Sequence, residues 1–108
     1  MLAQDVLRVV RKFQVALKDA GIASEFVVVF GSQATGKAHE WSDIDLLVVS
    51  AQFDGMTDRR GINQLWRLAA QIDSRIEPLP CGAQQWRYDD ASALIEVARR
   101  QGMILQAA

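Results

Sequence analysis

From about Gln4 to Ala20 the apolar positions return at helical spacing, with Val6, Val10, Phe13 and Leu17 on one stripe and Leu7 and Val9 widening it. Gly21 supplies a helix stop, because glycine takes the left-handed conformation that closes a last turn. The pattern then changes. Phe26-Val-Val-Val-Phe30 is an unbroken apolar run between Glu25 and Gly31, too short for an independent helix and rich in β-branched and aromatic types. It predicts a central strand covered on both faces. A second strand is expected from about Asp43 to Val49: Asp43 and Asp45 share one face at its start, Ile44 and Leu46 the other, and Leu47, Val48 and Val49 continue it into the core.

Asp54-Gly55 marks a loop, after which Thr57 or Asp58 can cap a helix whose Ile62, Leu65, Trp66, Ala69 and Ile72 form a core stripe. A third strand is expected over Arg75-Ile76-Glu77-Pro78-Leu79. Pro78 and Pro80 lack the N–H of an interior strand, so this segment either lies at a sheet edge or ends soon after Glu77. Asp89 or Asp90 opens a last helix with Ala91, Leu94, Ile95 and Ala98 buried, while Arg99, Arg100 and Gly102 suit its C-terminus. Met103 to Leu105 can form a short final strand. Trp86 and Tyr88 are compatible with either core or interface positions. The expected fold class is α/β (α+β), a small mixed sheet flanked by helices, in a single domain over 1–108 without repeat or linker.

Composition narrows the possible partners. Half of the 108 residues are apolar, which gives no reason for disorder. The 12 basic and 13 acidic residues leave a formal net charge of −1, which supplies no extended positive field for a nucleic-acid backbone. Cys81 is the only cysteine, without a second Cys or nearby His to build a zinc site, and reads as an incidental thiol. The N-terminal stretch mixes Gln4, Asp5, Arg8, Arg11 and Lys12 into its apolar pattern, unlike a signal-peptide core, and no apolar run approaches the ~20 residues that span a bilayer. A cytoplasmic location is the default expectation.

The chemistry gathers at the junction of the first two strands. Same-face positions two residues apart on a strand lie roughly 6.5–7 Å apart at the backbone, so Asp43 and Asp45 can converge on one or two divalent ions. Magnesium favours such oxygen ligands, completed by phosphates and waters. Glu77 is the best third carboxylate for a two-metal site, where ions about 4 Å apart activate an attacking oxygen and stabilise the leaving one. Arg75, of the same parity, can hold the acidic cluster or approach phosphate; Asp73 belongs to the helix-to-strand junction. Gly31 lets backbone approach a phosphate, and Ser32 offers a hydroxyl and an amide N–H. Gly36 permits a second tight turn, and Lys37 can assist electrostatically. His39 reads as a spacer-loop residue, and Trp41 as a loop anchor, with stacking on a base or partner as the alternative.

Gly31-Ser32, ten intervening residues, then Asp43-Ile44-Asp45 followed by Leu-Leu-Val-Val resembles the signature of the nucleotidyltransferase superfamily that includes DNA polymerase β, and in particular its minimal nucleotidyltransferase (MNT) family. The leading helix, Arg75 to Leu79, and the closing segment from Leu94-Ile95 to Gly102-Met103-Ile104 are also similar to that group. The resemblance implies ATP or another nucleoside triphosphate bound through Mg²⁺, with two ions. Asp43 and Asp45 match the paired metal ligands, Glu77 takes the place of the third carboxylate, and Gly31 and Ser32 match the residues that grip the triphosphate. Many relatives carry Asp where this chain has Glu77, and the extra methylene changes the ligand's reach. There is no Gly-x-x-x-x-Gly-Lys-Ser/Thr phosphate loop.

The resemblance further implies AMP transfer from ATP to a hydroxyl, with the acceptor supplied by another protein or subunit because the chain is nearly all catalytic core. Small members of the group pair with helical HEPN proteins, and the implied role is the antitoxin of a type VII-like toxin-antitoxin couple that adenylylates a tyrosine of its partner. Two alternatives remain: a non-catalytic antitoxin that neutralises its partner by binding, and an aminoglycoside-type small-molecule adenylyltransferase whose pocket an oligomer completes.

Overall fold

The computed structural model describes residues 2–107. Helix α1 (Gln4–Asp19) leads into strand β1 (Phe26–Phe30), the short helix α2 (Ser32–Thr35) and strand β2 (Ile44–Val49). A 3₁₀ turn (Ala51–Phe53) precedes α3 (Arg60–Ile72), then β3 (Ile76–Cys81), α4 (Ala83–Tyr88), α5 (Ala93–Gln101) and β4 (Met103–Gln106). Gly21 closes α1 with φ 82°.

The four strands form one mixed sheet in the order β3-β2-β1-β4, in which β1 pairs antiparallel with both β2 and β4, and β2 runs parallel to β3. Alternation along each strand divides the apolar residues into two cores. Val27 and Val29 of β1, Ile44, Leu46 and Val48 of β2, and Ile76 of β3 meet Val6, Val10, Phe13 and Leu17 of α1 and Leu65 and Ala69 of α3. Val28 and Phe30, Leu47 and Val49, and Cys81 meet Ile95 and Ala98 of α5, with Phe26, Leu79 and Trp86 packed alongside. The central strand β1 is therefore covered on both faces, as its unbroken apolar sequence requires.

β3 is an edge strand, yet it runs through both prolines to Cys81. The Arg75 and Cys81 carbonyls accept from Ile44 N (2.8 Å) and Ser50 N (3.0 Å) of the neighbouring segment. In a parallel pair a residue's N–H and C=O point to the same side, so positions 75, 77, 79 and 81 face β2 while 76, 78 and 80 face outward. Both prolines occupy outward positions, where no ladder donor is missing.

Four sequence expectations are corrected. Trp66 is 42% exposed rather than core: the buried row of α3 is Gly61, Leu65 and Ala69, and one residue further turns a side chain about 100° away. The last helix starts at Ala93, not at Asp89 or Asp90, because Asp89 Oδ1 accepts from the amides of Ala91 and Ser92 and Ser92 is the cap, its hydroxyl accepting from Ile95 N at 3.3 Å. Only Ile95 and Ala98 of that helix are buried; Ala91 and Leu94 are exposed. β2 begins at Ile44, leaving Asp43 just before it.

Trp86 is half-buried against the core on the α5 side, edge-on to Phe26 with ring centroids 5.6 Å apart, whereas Tyr88 is exposed. The Arg99 guanidinium lies over the Trp86 ring, 5.7 Å from its centroid, and Nε donates to the Trp86 carbonyl at 2.8 Å. Cys81 is buried, and burial pushes its thiol up to about 11, in keeping with an inert side chain.

Candidate functional site

β1 ends where β2 and β3 begin, and that end of the sheet carries the acids. Phe30 is the register partner of Asp45, and Asp45 is the register partner of Glu77. Adjacent strands lie about 4.8 Å apart, so the two carboxylates project side by side from the face that α5 covers farther along. Asp43, two positions before Asp45, has the same parity but stands outside the strand and is exposed. The two half-buried acids and the exposed one form a row at the rim.

Their electrostatics follow from that crowding. Burial first, then the Asp43 charge, hydrogen bonding with Asp45 and the Asp45 charge push the Glu77 carboxyl above its ordinary range. Burial is also the main cause that raises Asp45, opposed by the hydrogen bond from Glu77 and reinforced by the Asp43 charge. Among the described residues no Lys or Arg forms an ion pair with any of the three acids.

Arg75 turns away from them. Its Nε and Nη2 donate to Asp73 at 3.1 and 3.0 Å, and Nη1 lies 3.6 Å from Asp5 of α1. The carboxylate that follows α3 holds it locally, through a bidentate pair more favourable than a reach across the strand. Asp73 accordingly sits at the junction where the sequence places it, capping the C-terminus of α3.

Gly31 is packed against the acids. It has φ 73° and ψ −151°, a combination essentially confined to glycine. A Cβ built there would collide with Asp45 Oδ2. The chain turns sharply at Gly31 into α2, which begins at Ser32, and Gly36 closes that helix with φ 76°. Lys37 is exposed, its N–H donating to the Ser32 carbonyl at 3.2 Å.

The loop from α2 to β2 is held by local hydrogen bonds, two of them accepted by the Ser42 and His39 side chains. His39 N donates to Ser42 Oγ at 2.9 Å, Ser42 N to the His39 carbonyl at 3.0 Å, and Trp41 N to His39 Nδ1 at 3.3 Å. His39 is the spacer-loop residue expected. Trp41 does not anchor the loop: its indole is 78% exposed, and the Ser42 hydroxyl and His39 ring fix the turn in its place.

One residue escapes a reading of the sequence. Gln33 of α2 is 7% exposed, and its Nε2 donates to the carbonyls of Ser42 and Asp43 at 3.3 Å each. A polar residue inside a four-residue helix gives no periodic signal, so only the fold exposes it.

As a donor set, three carboxylates without a compensating cation suit a hard divalent ion such as Mg²⁺. Among the described residues, no three His, Cys, Asp or Glu side chains converge as a closed metal-ligand set. The acids line one rim without meeting at a common point. A cleft of about 500 Å³ lined by Gln14, Val15, Lys18, Asp19 and Ser24 lies at the other end of β1, away from them.

Residues 10–98 match the family model described as a nucleotidyltransferase domain. Among solved structures, the chain is similar to a protein from Sulfolobus solfataricus assigned as a nucleotidyltransferase, at 17% identity and a TM-score of 0.61, over 93% of this chain and 78% of that one. It is also similar to a chain from a structure described as a toxin-antitoxin with AMP-PNP, at 25% identity and a TM-score of 0.62, over 91% of this chain and 73% of that one. No curated protein gives a significant match. Among the described residues no helix is long and apolar enough to cross a membrane.

Proposed function

The chain belongs to the nucleotidyltransferase domain family, and from that premise we propose that it transfers AMP from ATP to a hydroxyl group, the acceptor being a tyrosine of a HEPN-type helical toxin partner. The observation that carries this reading is the register pairing of Asp45 with Glu77 beside a glycine whose missing Cβ makes room for Asp45. The family's chemistry needs carboxylates and phosphate in one place, and this is where the fold brings carboxylate and open backbone together. The relative described as a toxin-antitoxin with AMP-PNP supports both the nucleotide and the kind of partner.

Asp43, Asp45 and Glu77 would hold two Mg²⁺ ions, which when bound neutralise the charge that develops on the triphosphate. Ser32 offers its hydroxyl and its amide, which lies in a first helical turn without a preceding helical carbonyl to accept from it. Gly31 keeps the backbone there bare. The acceptor oxygen bonds to the α-phosphorus as the bond to the pyrophosphate oxygen breaks in line, and the acceptor proton passes to a Glu77 carboxylate oxygen. Lys37, exposed on the turn after α2, would add favourable charge to the departing pyrophosphate.

The test incubates the protein with Mg²⁺, ATP labelled on the α-phosphate and a candidate helical partner. Label should move to the partner and fall by more than about 100-fold in Asp43→Asn, since even residues behind a ligand commonly contribute 10–100-fold. Equal labelling by parent and Asp43→Asn would overturn the site. Because the acids are not converged, neutralisation by binding alone is kept as a second reading; Asp43→Asn that still neutralises a partner the parent never labels would establish it.

A further inference from the structure

We infer that Gln33 is a positioning residue for Asp43, its side-chain amide standing in for a strand that the fold removes. Odd-numbered residues of β2 direct their backbone groups toward β1, as Val49 shows by accepting from Glu25 N at 2.8 Å just beyond the end of β1. Phe30 opposite Asp45 is the last pair of that ladder. Asp43 would continue it opposite position 32, but the chain has already turned into α2 at Gly31. The Asp43 carbonyl would then lack a backbone partner. Gln33 Nε2 supplies one, donating to the carbonyls of both Ser42 and Asp43 at 3.3 Å.

Burial makes this bridge matter. Gln33 is the buried residue of α2, and a buried amide that loses its partners is left without the hydrogen bonds water would have given it, so the side chain is held to these two carbonyls. The same residue lies next to Ser32. It therefore couples the turn proposed to meet the triphosphate to the backbone of the outermost acid, which the sheet does not hold. Asp43 is exposed, and without this tether its carboxylate would lose its bearing toward Asp45 and Glu77.

The inference rests on the nucleotidyl-transfer reading only in taking Asp43 as a metal ligand. Gln33→Met, close in length but without a donor, and Gln33→Glu, which sets a carboxylate against the two carbonyls, are compared with the parent chain. Two readouts are used: amide hydrogen exchange by NMR in metal-free protein, and Mn²⁺ binding followed by electron paramagnetic resonance. Both variants should exchange faster at Ser42 and Ile44 with Val28 and Leu47 unchanged, and should bind Mn²⁺ about 10–100-fold more weakly, the usual effect of losing a group behind a ligand. Equal Mn²⁺ binding by parent and variants, or faster exchange that extends equally to Val28 and Leu47, would overturn the inference. A parent that binds Mn²⁺ but labels no acceptor overturns the proposed function alone, and a parent that binds no Mn²⁺ overturns both. If Gln33→Glu does not fold, Gln33→Met decides.

Discussion

Gly31 and Asp45 occupy one space: a Cβ on the glycine would overlap Oδ2 of the aspartate. Two separate costs therefore attach to any side chain at position 31, one from its backbone conformation and one from the carboxylate. Gly31→Ala is expected to destabilise the protein, with about 1–3 kcal/mol arising from the glycine-only dihedrals alone. In a double-mutant cycle with Asp45→Gly the collision is relieved while the dihedral cost stays. Denaturant unfolding should show a favourable coupling between the two substitutions, and strict additivity would refute the shared space.

The three acids oppose the fold that gathers them. Glu77 and Asp45 are both raised by burial and by like charge, so each carboxyl is harder to ionise in the folded chain than in the unfolded one. That repulsion is a stability cost at neutral pH. In metal-free buffer Glu77→Gln should raise the stability by about 1 kcal/mol, as relief of a functional strain commonly does. Added Mg²⁺ should raise the melting temperature of the parent more than that of the variant. A variant that melts below the parent without metal would contradict this account.

Asp73 behaves in the opposite sense. Its hydrogen bonds to Arg75 hold its carboxyl below the ordinary aspartate value of 3.8. A folded-state value below the unfolded one stabilises above the unfolded pKa, and the stabilisation is lost as the pH falls through the lowered one. The pair is partly exposed, with side chains 20% and 21% accessible, so its contribution is about 1 kcal/mol at most. Urea midpoints measured from neutral pH down through the aspartate range should fall less steeply for Arg75→Met than for the parent. Parallel slopes would show that the pair carries no linked proton.

Trp41 and Trp86 should part company under substitution. Trp41→Ala removes an indole that is 78% exposed and should change stability by no more than about 0.5 kcal/mol. Trp86→Ala removes a ring packed on Phe26 and under Arg99, and should cost about 3 kcal/mol. Equal melting temperatures for the two variants would contradict the placement of one of them.

The strands and the parity of their acids are legible in the sequence because alternation with period two leaves few options. Once Phe26 to Phe30 reads as a strand, the alternation of Asp43 and Asp45 with Ile44 follows. That Glu77 stands opposite Asp45 is not legible, since register between β2 and β3 is set by the packing of α3 between them. Trp66 is misplaced by its spacing because helical periodicity gives a stripe but not which of its edges meets the sheet. α4 leaves no signal of its own: it is six residues long, and the Gln84 amide at its start is capped by Asp54, at 3.1 Å, from thirty positions away. Gln33 leaves no trace either, since its partners are backbone carbonyls that any sequence possesses.

The outward edge of β3 has a consequence for how anything can approach the acids. Of its three outward backbone nitrogens, those of Pro78 and Pro80 carry no hydrogen, and that of Ile76 donates to the Asp73 carbonyl at 3.2 Å. A visiting strand would find acceptors but no donors, half of the pattern that sheet extension requires. The sheet is therefore finished on the side of Glu77. A protein that reaches this rim must be recognised by side chains and by shape, and it leaves the four-stranded sheet as it found it.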